Sequence, residues 1–415
     1  MSAPADPIVI VGAGQAGGRC AEALRQGGHA GAITLIGDEP HLPYERPPLS
    51  KEMLAEGGAD KIAWVRPEPW WDEQAISRRL GRRADRIERD RKCVVLDDGS
   101  EVPYGALVLA TGARPRHLTI PGAGHAAVQV IRTIEDSEKL LPALAPGRRV
   151  VVIGAGYIGL ETAAAARARG ADVTVLEMAP RVLARGVSAE VAAWFAAEHA
   201  RQGVAIRTGA VTTRIEATAT GALVHTETES FGADAIVVGI GVIPNVELAE
   251  KCGLATENGI RVDSRGQTSD PAIWACGDCT SHPNPILGGR LRLESWQNAQ
   301  NQAIAVARNI LGADKDYAEV PWFWSDQFGH NLQIAGLVDD AATAVARGTL
   351  GEGPALRLFL DKGVLVGAIG LDAGRDLRFA KELIALRATP DPAQLADPAV
   401  KLADLLKALK AQRAS

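Results

Sequence analysis

The feature that most constrains the fold is a glycine-rich pattern that occurs twice. IVIVGAGQAGG at residues 8–18 and VVVIGAGYIGLE at residues 150–161 each predict a strand, a G-x-G-x-x-G turn and an alanine-rich helix. Each copy then returns to a second apolar run with an acidic residue near its end, at residues 32–39 and 171–178. Parallel strands need such a crossover helix, so each copy predicts a doubly wound parallel sheet that binds a dinucleotide. The predicted fold class is α/β, with two Rossmann-like domains.

The first copy carries the residues that a dinucleotide needs. Gly12 makes the tight turn, Gly14 lets the backbone approach the pyrophosphate, and Gly17 lets helix and strand pack closely. The helix start offers N–H groups and a partial positive charge to the phosphates. Asp38 ends the second strand, where a carboxylate accepts hydrogen bonds from ribose hydroxyls. Gln15 and Ala16 of the same loop are further candidate cofactor-binding residues.

The second copy repeats the pattern, and its acid predicts the choice of nucleotide. Glu177 would repel a 2′-phosphate, so NADH is favoured over NADPH, although Arg181 either softens that choice or is an ordinary solvated arginine. Two sites in one chain suggest a tightly, non-covalently bound FAD and an exchanging NADH, since flavin accepts a hydride and can release electrons singly. The candidate loop residues are Gly154, Gly156, Tyr157, Ile158 and Gly159.

Length, charge and composition bound the remaining possibilities. A chain of 415 residues predicts two to four domains, and a net charge of −5 gives no global basic field for nucleic acid. The first residues do not resemble a signal peptide, and no apolar run approaches the roughly 18 residues that span a membrane. Five cysteines without framework spacing suit a reducing cytoplasm. The histidines show no metal-ligand spacing, so no metal is expected.

Changes along the sequence in the pattern of predicted strands and helices suggest three domains. An FAD-binding domain is expected at residues 1–113 and 245–323, with an NADH-binding domain at 114–244. A Pro/Gly linker at 142–147 precedes the second glycine motif. A C-terminal α+β domain is expected at 324–415, because strand pairs appear there, including a hairpin at 355–371.

The stretch ACGDC at residues 275–279 leaves two interpretations open. Cys276 and Cys279 have the spacing of a redox dithiol, but they can equally be small buried residues in a motif that exists for Asp278. The other three cysteines, which are Cys20, Cys93 and Cys252, stand apart in sequence and are expected to be core residues.

Several motifs together carry a family resemblance. They are GAGQAG, PYERPPLSK (43–51), ATGARPR (110–116), GAGYIGLE, VGIGVIPN (238–245), ACGDC and PWFWSDQ (321–327). From about residue 7 to past residue 400, the chain resembles the FAD-dependent ferredoxin reductases of bacterial Rieske dioxygenases and cytochrome monooxygenases. The wider fold is similar to that of glutathione reductase. Disulfide reductases of that fold carry cysteines in the region that here reads PYERPPLSKEML, which argues against a dithiol.

The resemblance implies roles for the candidate catalytic residues. Lys51 would bring its ammonium toward the flavin N5 edge, and Glu161 would pair with it beneath the nicotinamide. Trp324 would stand at the dimethylbenzene edge, where the electron acceptor docks, and Asp278 would bind the ribityl chain. The plainer alternatives are a surface lysine, a helix-start acid favoured by the dipole, and a tryptophan packed in the core.

Other cofactor contacts are also implied by the resemblance. Arg46 and Arg132 would reach FAD, Tyr157 would cover the flavin until nicotinamide enters, and Trp296 would contact the flavin or simply pack in the core. Backbone contacts to the cofactors are implied for Ala84, Ala110, Thr111, Gly112, Gly239, Ile240 and Gly241.

The expected function is NADH:ferredoxin oxidoreduction. A hydride passes from NADH to FAD, and single electrons then reach an acidic 2Fe–2S ferredoxin that feeds an oxygenase. The alternatives are a rubredoxin reductase or NADH oxidase of the same fold, or an NADH-binding flavoprotein similar to apoptosis-inducing factor. A transient, salt-sensitive contact below about 1,200 Å² is expected. Candidate basic residues for it are Arg290, Arg292, Arg375 and Arg378.

Overall fold

The computed structural model describes residues 6–414. The chain divides into two compact units, each made of three separate stretches. The first unit contains the residues up to 46, 62–114 and 243–319. The second contains 47–61, 115–242 and the residues from 320 onward. Residues 47–61 and the C-terminal region therefore group with the second glycine motif.

The first unit is built on a five-stranded parallel sheet, as the first glycine motif predicts. Its apolar strands are buried on both faces, as parallel strands between helices and further chain usually are. The helices Gln15–Gln26 and Trp296–Ile310 pack on one face, around Leu24, Trp71 and Val306. In spatial order the strands are Ile273–Ala275, Ala106–Leu109, Ile8–Val11, Ile33–Gly37 and Ile76–Leu80.

A small antiparallel sheet covers the other face of the first unit. Its side chains, including Ile87 and Val94, share a core with Leu107 and Leu109 of the parallel sheet. The stretch DDGS at residues 97–100, a sequence typical of a turn, joins two of its strands. The three strands are Ala84–Glu88, Cys93–Leu96 and Glu101–Pro103.

The second unit repeats this plan around the second glycine motif. Again five parallel strands form a sheet, with the helices Tyr157–Ala168 and Ala189–Arg201 in the crossovers. In spatial order the strands are Val128–Gln129, Ala235–Val238, Arg149–Ile153, Asp172–Glu177 and Ala205–Thr208. An antiparallel sheet shares a core with it and contains Thr212–Thr218, Gly221–Thr226 and Ser230–Ala233.

The C-terminal region is α+β, as expected, and its first strand begins at Trp322. All five strands run antiparallel to their neighbours. The predicted hairpin turns at Lys362 and Gly363, whose φ angles of 49° and 82° suit a two-residue turn. In spatial order the strands are Trp322–Gln327, His330–Gly336, Val364–Leu371, Ala355–Asp361 and Thr343–Arg347. The helices Gly374–Ala385, Pro392–Ala396 and Leu402–Ala414 follow.

Two boundaries differ from the sequence expectations. The linker at 142–147 begins inside a short 3₁₀ helix, Leu141–Leu144. The sequence at residues 294–312 predicts a helix with Gly312 as its C-cap. The helix spans Trp296–Ile310, and Gly312, with φ at 92°, lies one residue beyond the C-cap. Among the residues described, no helix combines the length and apolar composition that a membrane span requires.

The remaining elements are short. The strands are Tyr44–Glu45, Ala63–Trp64, Ala113–Pro115, Val242–Pro244, Ile260–Arg261, Thr280–Pro283 and Arg290–Leu291. The helices are Glu52–Ala55, Glu68–Glu73, Ile134–Leu140 and Glu247–Lys251, with further 3₁₀ turns at Pro47–Ser50 and Ala59–Lys61.

Candidate functional site

The first glycine loop is shaped so that only glycine fits at its packed positions. A Cβ on Gly12 would lie 2.1 Å from the Ala110 carbonyl oxygen, and one on Gly17 would lie 1.8 Å from the Gly12 oxygen. Over Gly14 the nearest atom would be an Arg46 nitrogen at 3.9 Å, so that surface is open. An open backbone at the start of a helix is the geometry that a pyrophosphate needs.

Gln15 supports the same interpretation. Its side chain is buried at the helix start, and neither its amide nitrogen nor its amide oxygen has a hydrogen-bond partner. Buried polar atoms are normally satisfied, so two such atoms beside an open phosphate-type loop fit a bound ligand such as FAD. Ala16, the next residue, is buried within the core of this unit.

Arg46 connects this loop to Asp278. The Arg46 guanidinium donates to Glu39 at 2.6 Å and to the Tyr44 hydroxyl at 2.9 Å. Burial alone would lower the pKa of Arg46, but the nearby Tyr44, Glu39 and Asp278 raise it overall. The first unit thus brings together Gly14, Arg46 and Asp278, which are far apart in sequence.

The other candidate residues of the first unit lie on its strand ends and loops. Asp38 directly follows the strand Ile33–Gly37 and is exposed, whereas its neighbour Glu39 makes the bonds to Tyr44 and Arg46. Thr111 is held because its hydroxyl donates to the Asn245 carbonyl at 2.6 Å. Ala84 begins a strand, Ala110 and Gly112 flank Thr111, and Trp296 begins a helix.

The two cysteines of ACGDC are buried and have raised pKa values. Cys279 donates to the Cys276 carbonyl at 3.3 Å, and burial raises its pKa to about 12. A hydrogen bond with Cys20, followed by burial, raises the pKa of Cys276 well above its usual range. Both stay thiols at neutral pH, and a thiol is a poor nucleophile. Cys20 and Cys93 are buried core residues, as expected, and Cys20 also contacts Cys276. The expectation for Cys252 is corrected, because that residue is only half-buried.

The second glycine loop repeats the packing of the first. A Cβ on Gly154 would lie 2.5 Å from the Gly239 oxygen, and one on Gly159 would lie 2.0 Å from the Gly154 oxygen. Over Gly156 the nearest atom would be 3.9 Å away, so the phosphate-facing backbone is again open. Ile240 and Gly241 continue from Gly239 beyond the strand Ala235–Val238, with Gly241 at φ of 98°.

Glu177 ends its strand and is fixed to the second loop. Its carboxylate oxygens accept from the backbone N–H groups of Ala155 at 2.6 Å and Ala179 at 2.7 Å. Arg181 donates to the Val187 carbonyl at 2.8 Å and pairs with Asp340 at 2.7 Å. The arginine that was a candidate for a 2′-phosphate is therefore committed to partners within the unit.

Tyr157 opens the helix that follows the second loop. Its ring packs 4.4 Å from the Phe323 ring, and its buried hydroxyl has no hydrogen-bond partner. A Cβ on Gly186 would lie 2.0 Å from that hydroxyl, so Gly186 leaves room for the phenol. Burial and then the charge of Glu161 raise the pKa of Tyr157, so it stays neutral.

Two further candidates of the second unit lie at helix starts. Ile158 is exposed beside Tyr157, with a relative exposure of 40%. Arg132 lies just before the helix Ile134–Leu140, and its backbone N–H donates to Asp136 at 2.9 Å.

The second unit also contains a buried ion pair. Lys51 Nζ lies 2.9 Å from Glu161 Oε1, with 11% and 3% of the two side chains exposed. The Glu161 carboxylate also accepts from the Ser50 hydroxyl and the Ser325 hydroxyl, both at 2.6 Å. The Lys51 ammonium lies 5.7 Å from the centre of the Trp324 ring. All three candidate catalytic residues are therefore neighbours.

The hydroxyl partners of Glu161 were not predicted. Ser50 precedes Lys51 in PPLSK, and Ser325 follows Trp324 in WFWSDQ. Their only sequence signal is adjacency to a candidate residue. Two more polar residues extend this set, because Gln327 bonds to Ser325 at 2.9 Å and to His199 at 2.8 Å.

The candidate docking arginines differ in their availability. Arg290 donates to the carbonyls of Val262 and Ser281, so its predicted role in docking gives way to a structural one. Arg292 is half-buried and pairs with Glu294. Arg375 and Arg378 are exposed. In residues 6–414, no group of three or more His, Cys, Asp or Glu side chains is arranged to hold a metal ion.

Comparison with known proteins agrees with this geometry. Residues 6–303 match the family described as pyridine nucleotide-disulphide oxidoreductase, and residues 322–406 match the one described as reductase C-terminal. The chain is 48% identical to the ferredoxin–NAD(+) reductase component of the anthranilate 1,2-dioxygenase system of Burkholderia cepacia, covering 97% of this chain and 100% of that protein. It is 37% identical to the putidaredoxin reductase of Pseudomonas putida, with 99% of each covered.

Solved structures give the same result. A ferredoxin reductase from Rhodopseudomonas palustris superimposes with a TM-score of 0.93 at 41% identity, over 97% of this chain and 100% of that one. The covalent putidaredoxin reductase–putidaredoxin complex gives 0.93 at 37% identity, over 98% of this chain and 99% of that one. Relatives of this kind use FAD and NAD(H). The chain therefore belongs to the pyridine nucleotide-disulphide oxidoreductase family, among its ferredoxin–NAD(+) reductases.

Proposed function

We propose that this chain oxidises NADH and reduces a small, acidic 2Fe–2S ferredoxin that supplies an oxygenase. The observation that carries the proposal is the buried Lys51–Glu161 pair beside Trp324, because it provides a fixed cation and no thiol. FAD, when bound, accepts a hydride from NADH and passes electrons on singly. The relatives named above act in dioxygenase or putidaredoxin systems, which supports this class of partner.

The two cofactors would be bound by residues of different units. In the first unit, the Gly12–Gly17 loop, Arg46 and Asp278 would hold FAD. In the second, the Gly154–Gly159 loop and Glu177 would hold NADH. Three domains are proposed, with FAD bound by residues 1–113 and 245–323, NADH bound by 114–244, and a C-terminal domain at 324–415. Residues 47–61 and the C-terminal domain lie in the second unit.

Lys51 would act through its charge. A fixed ammonium near a flavin stabilises the negative charge that develops on reduction. Glu161 would keep Lys51 in place, and Tyr157 would yield its position to the nicotinamide. Hydride transfer needs alignment more than a proton relay, so no acid–base pair is required.

Ferredoxin would dock near exposed basic residues. Arg375 and Arg378 lie exposed on the helix Gly374–Ala385 and are the remaining candidates of the predicted patch. A contact based on charge is weakened by salt. Cytoplasmic location is also proposed, since the five cysteines are free and two of them are the buried thiols of ACGDC.

Electron transfer from NADH to a panel of purified ferredoxins, with cytochrome c as the final acceptor, tests the function. We expect rapid, salt-sensitive reduction with at least one 2Fe–2S ferredoxin. Reduction of rubredoxin alone would indicate a rubredoxin reductase, and oxygen consumption without a partner would indicate an NADH oxidase. Slow turnover with every acceptor and a long-lived charge-transfer complex would indicate a regulatory flavoprotein.

The Lys51→Ala variant tests the role of the cation. Losing a preorganised charge should slow reduction of bound FAD by NADH by about a hundredfold, measured as bleaching of the flavin in stopped flow. FAD content should stay normal, because the phosphate loop is untouched. Lys61→Ala is the matched control, since Lys61 pairs with exposed Glu56 in the same stretch of chain. Equal rates in both variants would refute the role.

A further inference from the structure

The Glu161 carboxylate receives more donors than an ion pair needs. Oε1 accepts from Lys51 and from the Ser325 hydroxyl, and Oε2 accepts from the Ser50 hydroxyl. Ser50 and Ser325 are both buried, at 5% and 0% exposure. Burying a carboxylate is costly unless such bonds replace water, so each hydroxyl offsets part of the cost of burying the Glu161 side chain.

The hydrogen bond from Ser325 to Glu161 determines which group donates and which accepts in the other hydrogen bonds connected to Ser325. Ser325 has one hydroxyl proton and donates it to Glu161, so it accepts from the Gln327 amide nitrogen at 2.9 Å. Gln327 must then present its amide oxygen to His199. That oxygen only accepts, so the His199 Nε2 atom, 2.8 Å away, must carry the proton.

His199 can hold this arrangement at neutral pH. The side chain is fully buried, and burial lowers its pKa, with the Gln327 bond and Glu198 opposing that effect. Its Nδ1 atom has no hydrogen-bond partner, which agrees with a bare nitrogen rather than a second N–H group. The result is a chain of uncharged hydrogen-bond donors, in which each residue donates to the next one in the direction of Glu161.

We propose that Ser325, Gln327 and His199 are positioning residues that fix Glu161, and through it Lys51, for hydride transfer. Ser325 donates directly to Glu161, and Gln327 and His199 are linked to Glu161 through Ser325, so their effect on Lys51 is expected to pass through Glu161. The proposal rests on the proposed role of Lys51.

The strand Trp322–Gln327 explains how this line of residues is built. Side chains alternate between the two faces of a strand, so Phe323, Ser325 and Gln327 share one face. They meet Tyr157, Glu161 and His199 respectively. Trp322 and Trp324 occupy the opposite face and stack at 5.1 Å. One strand therefore supports Glu161 and also presents the tryptophan at the proposed electron exit.

Removing one donor tests the proposal by kinetics. In Ser325→Ala the carboxylate loses a bond and can draw Lys51 away, and a shift of about 1 Å in such a group can cost up to a hundredfold in rate. We expect the limiting rate of flavin reduction by NADH to fall by about tenfold, with NADH affinity and FAD content unchanged. Ser325→Thr, which keeps the hydroxyl, should restore most of the rate.

A matched control removes the same kind of bond elsewhere. Ser264 donates to the Asp316 carboxylate in the first unit, and neither residue is among the proposed site residues. Ser264→Ala should reduce flavin at the rate of the unmodified protein. If Ser325→Ala matches that control, or if threonine does not rescue it, the positioning role is wrong.

A second measurement does not depend on activity. In protein labelled with ¹⁵N-histidine, the ring-nitrogen shifts of His199, assigned by their loss in His199→Gln, should report an Nε2–H tautomer. As the pH falls, this ring should take up a second proton only at a lower pH than an ordinary histidine does, because burial lowers its pKa. An Nδ1–H tautomer, or ordinary titration, would overturn the deduced bond directions.

The two proposals fail in different ways. If Lys51→Ala reduces flavin normally, the role of the cation is wrong, whatever Ser325 does. If Lys51→Ala is slow but Ser325→Ala is normal, the cation matters and the positioning chain does not. A slow Ser325→Ala variant combined with the Nε2–H tautomer supports both.

Discussion

Glu177 is the residue that should decide between NADH and NADPH. Its carboxylate is held at the second glycine loop by two backbone N–H groups, at the end of the strand where a ribose is expected. In Glu177→Gln the negative charge is lost while size is kept, so repulsion of a 2′-phosphate falls. We expect the ratio of kcat/KM for NADPH to that for NADH to rise by about tenfold or more.

The control for this prediction lies on the same strand. Asp172 is exposed at its opposite end, so Asp172→Asn removes an equal charge far from the loop. That variant should keep the original preference in the same steady-state assay. An unchanged preference in Glu177→Gln would show that the carboxylate does not contact the ribose.

At the scale of elements, Arg347 holds the C-terminal helices to the sheet. It ends the edge strand Thr343–Arg347, is nearly buried, and donates to several backbone carbonyls beyond the helix Gly374–Ala385. Replacing it with leucine leaves those buried acceptors unpaired, which should cost about 2–3 kcal/mol of local stability. The accepting carbonyls belong to Leu395, Asp397, Pro398 and Val400.

Hydrogen exchange measures this effect directly. Amides of the helix Leu402–Ala414 should exchange roughly a hundredfold faster in Arg347→Leu, while flavin reduction by NADH should remain normal. Lys410→Ala is the comparison, because Lys410 forms an exposed pair with Glu382 and such pairs contribute little. Equal exchange in the two variants would contradict the role of Arg347.

At the scale of the whole molecule, buried neutral histidines should make the fold sensitive to acid. Burial, and then the charge of Arg290, lowers the pKa of His282 to about 4. The unfolded chain, with a histidine pKa near 6.5, then binds more protons than the folded one between about pH 6.5 and 4. The folded state is favoured above that range and loses up to about 3 kcal/mol from this group as pH falls through it.

His282→Gln isolates this contribution from that of the carboxylates. The variant should lose less thermal stability than the unmodified protein between pH 7 and pH 5, as measured by the melting temperature at each pH. His199, whose pKa burial also lowers, adds a smaller dependence of the same sign that both proteins share. Parallel pH curves would show that His282 titrates normally in the fold.

Local patterns were the part of this protein that sequence could predict. The spacing of Gly12, Gly14 and Gly17 meets the geometric needs of a single turn and of the helix start that follows it. The motif can therefore be recognised without the rest of the chain. The alternation of strands and helices around each loop likewise predicted two parallel sheets. By contrast, Arg290 is the type of residue that could bind an acidic partner. Only its hydrogen bonds to backbone carbonyls show that it has a structural role.

The sequence by itself determined the two dinucleotide folds, their phosphate loops and the acid that ends each second strand, because these depend on neighbouring residues. The tertiary structure decided which distant polar groups meet. Ser325 and Gln327 occupy alternate positions of a strand, and that pattern indicates a shared face without indicating what the face contacts. Glu161 and His199 become their partners only because packing brings separate elements together, where buried polar atoms must be satisfied.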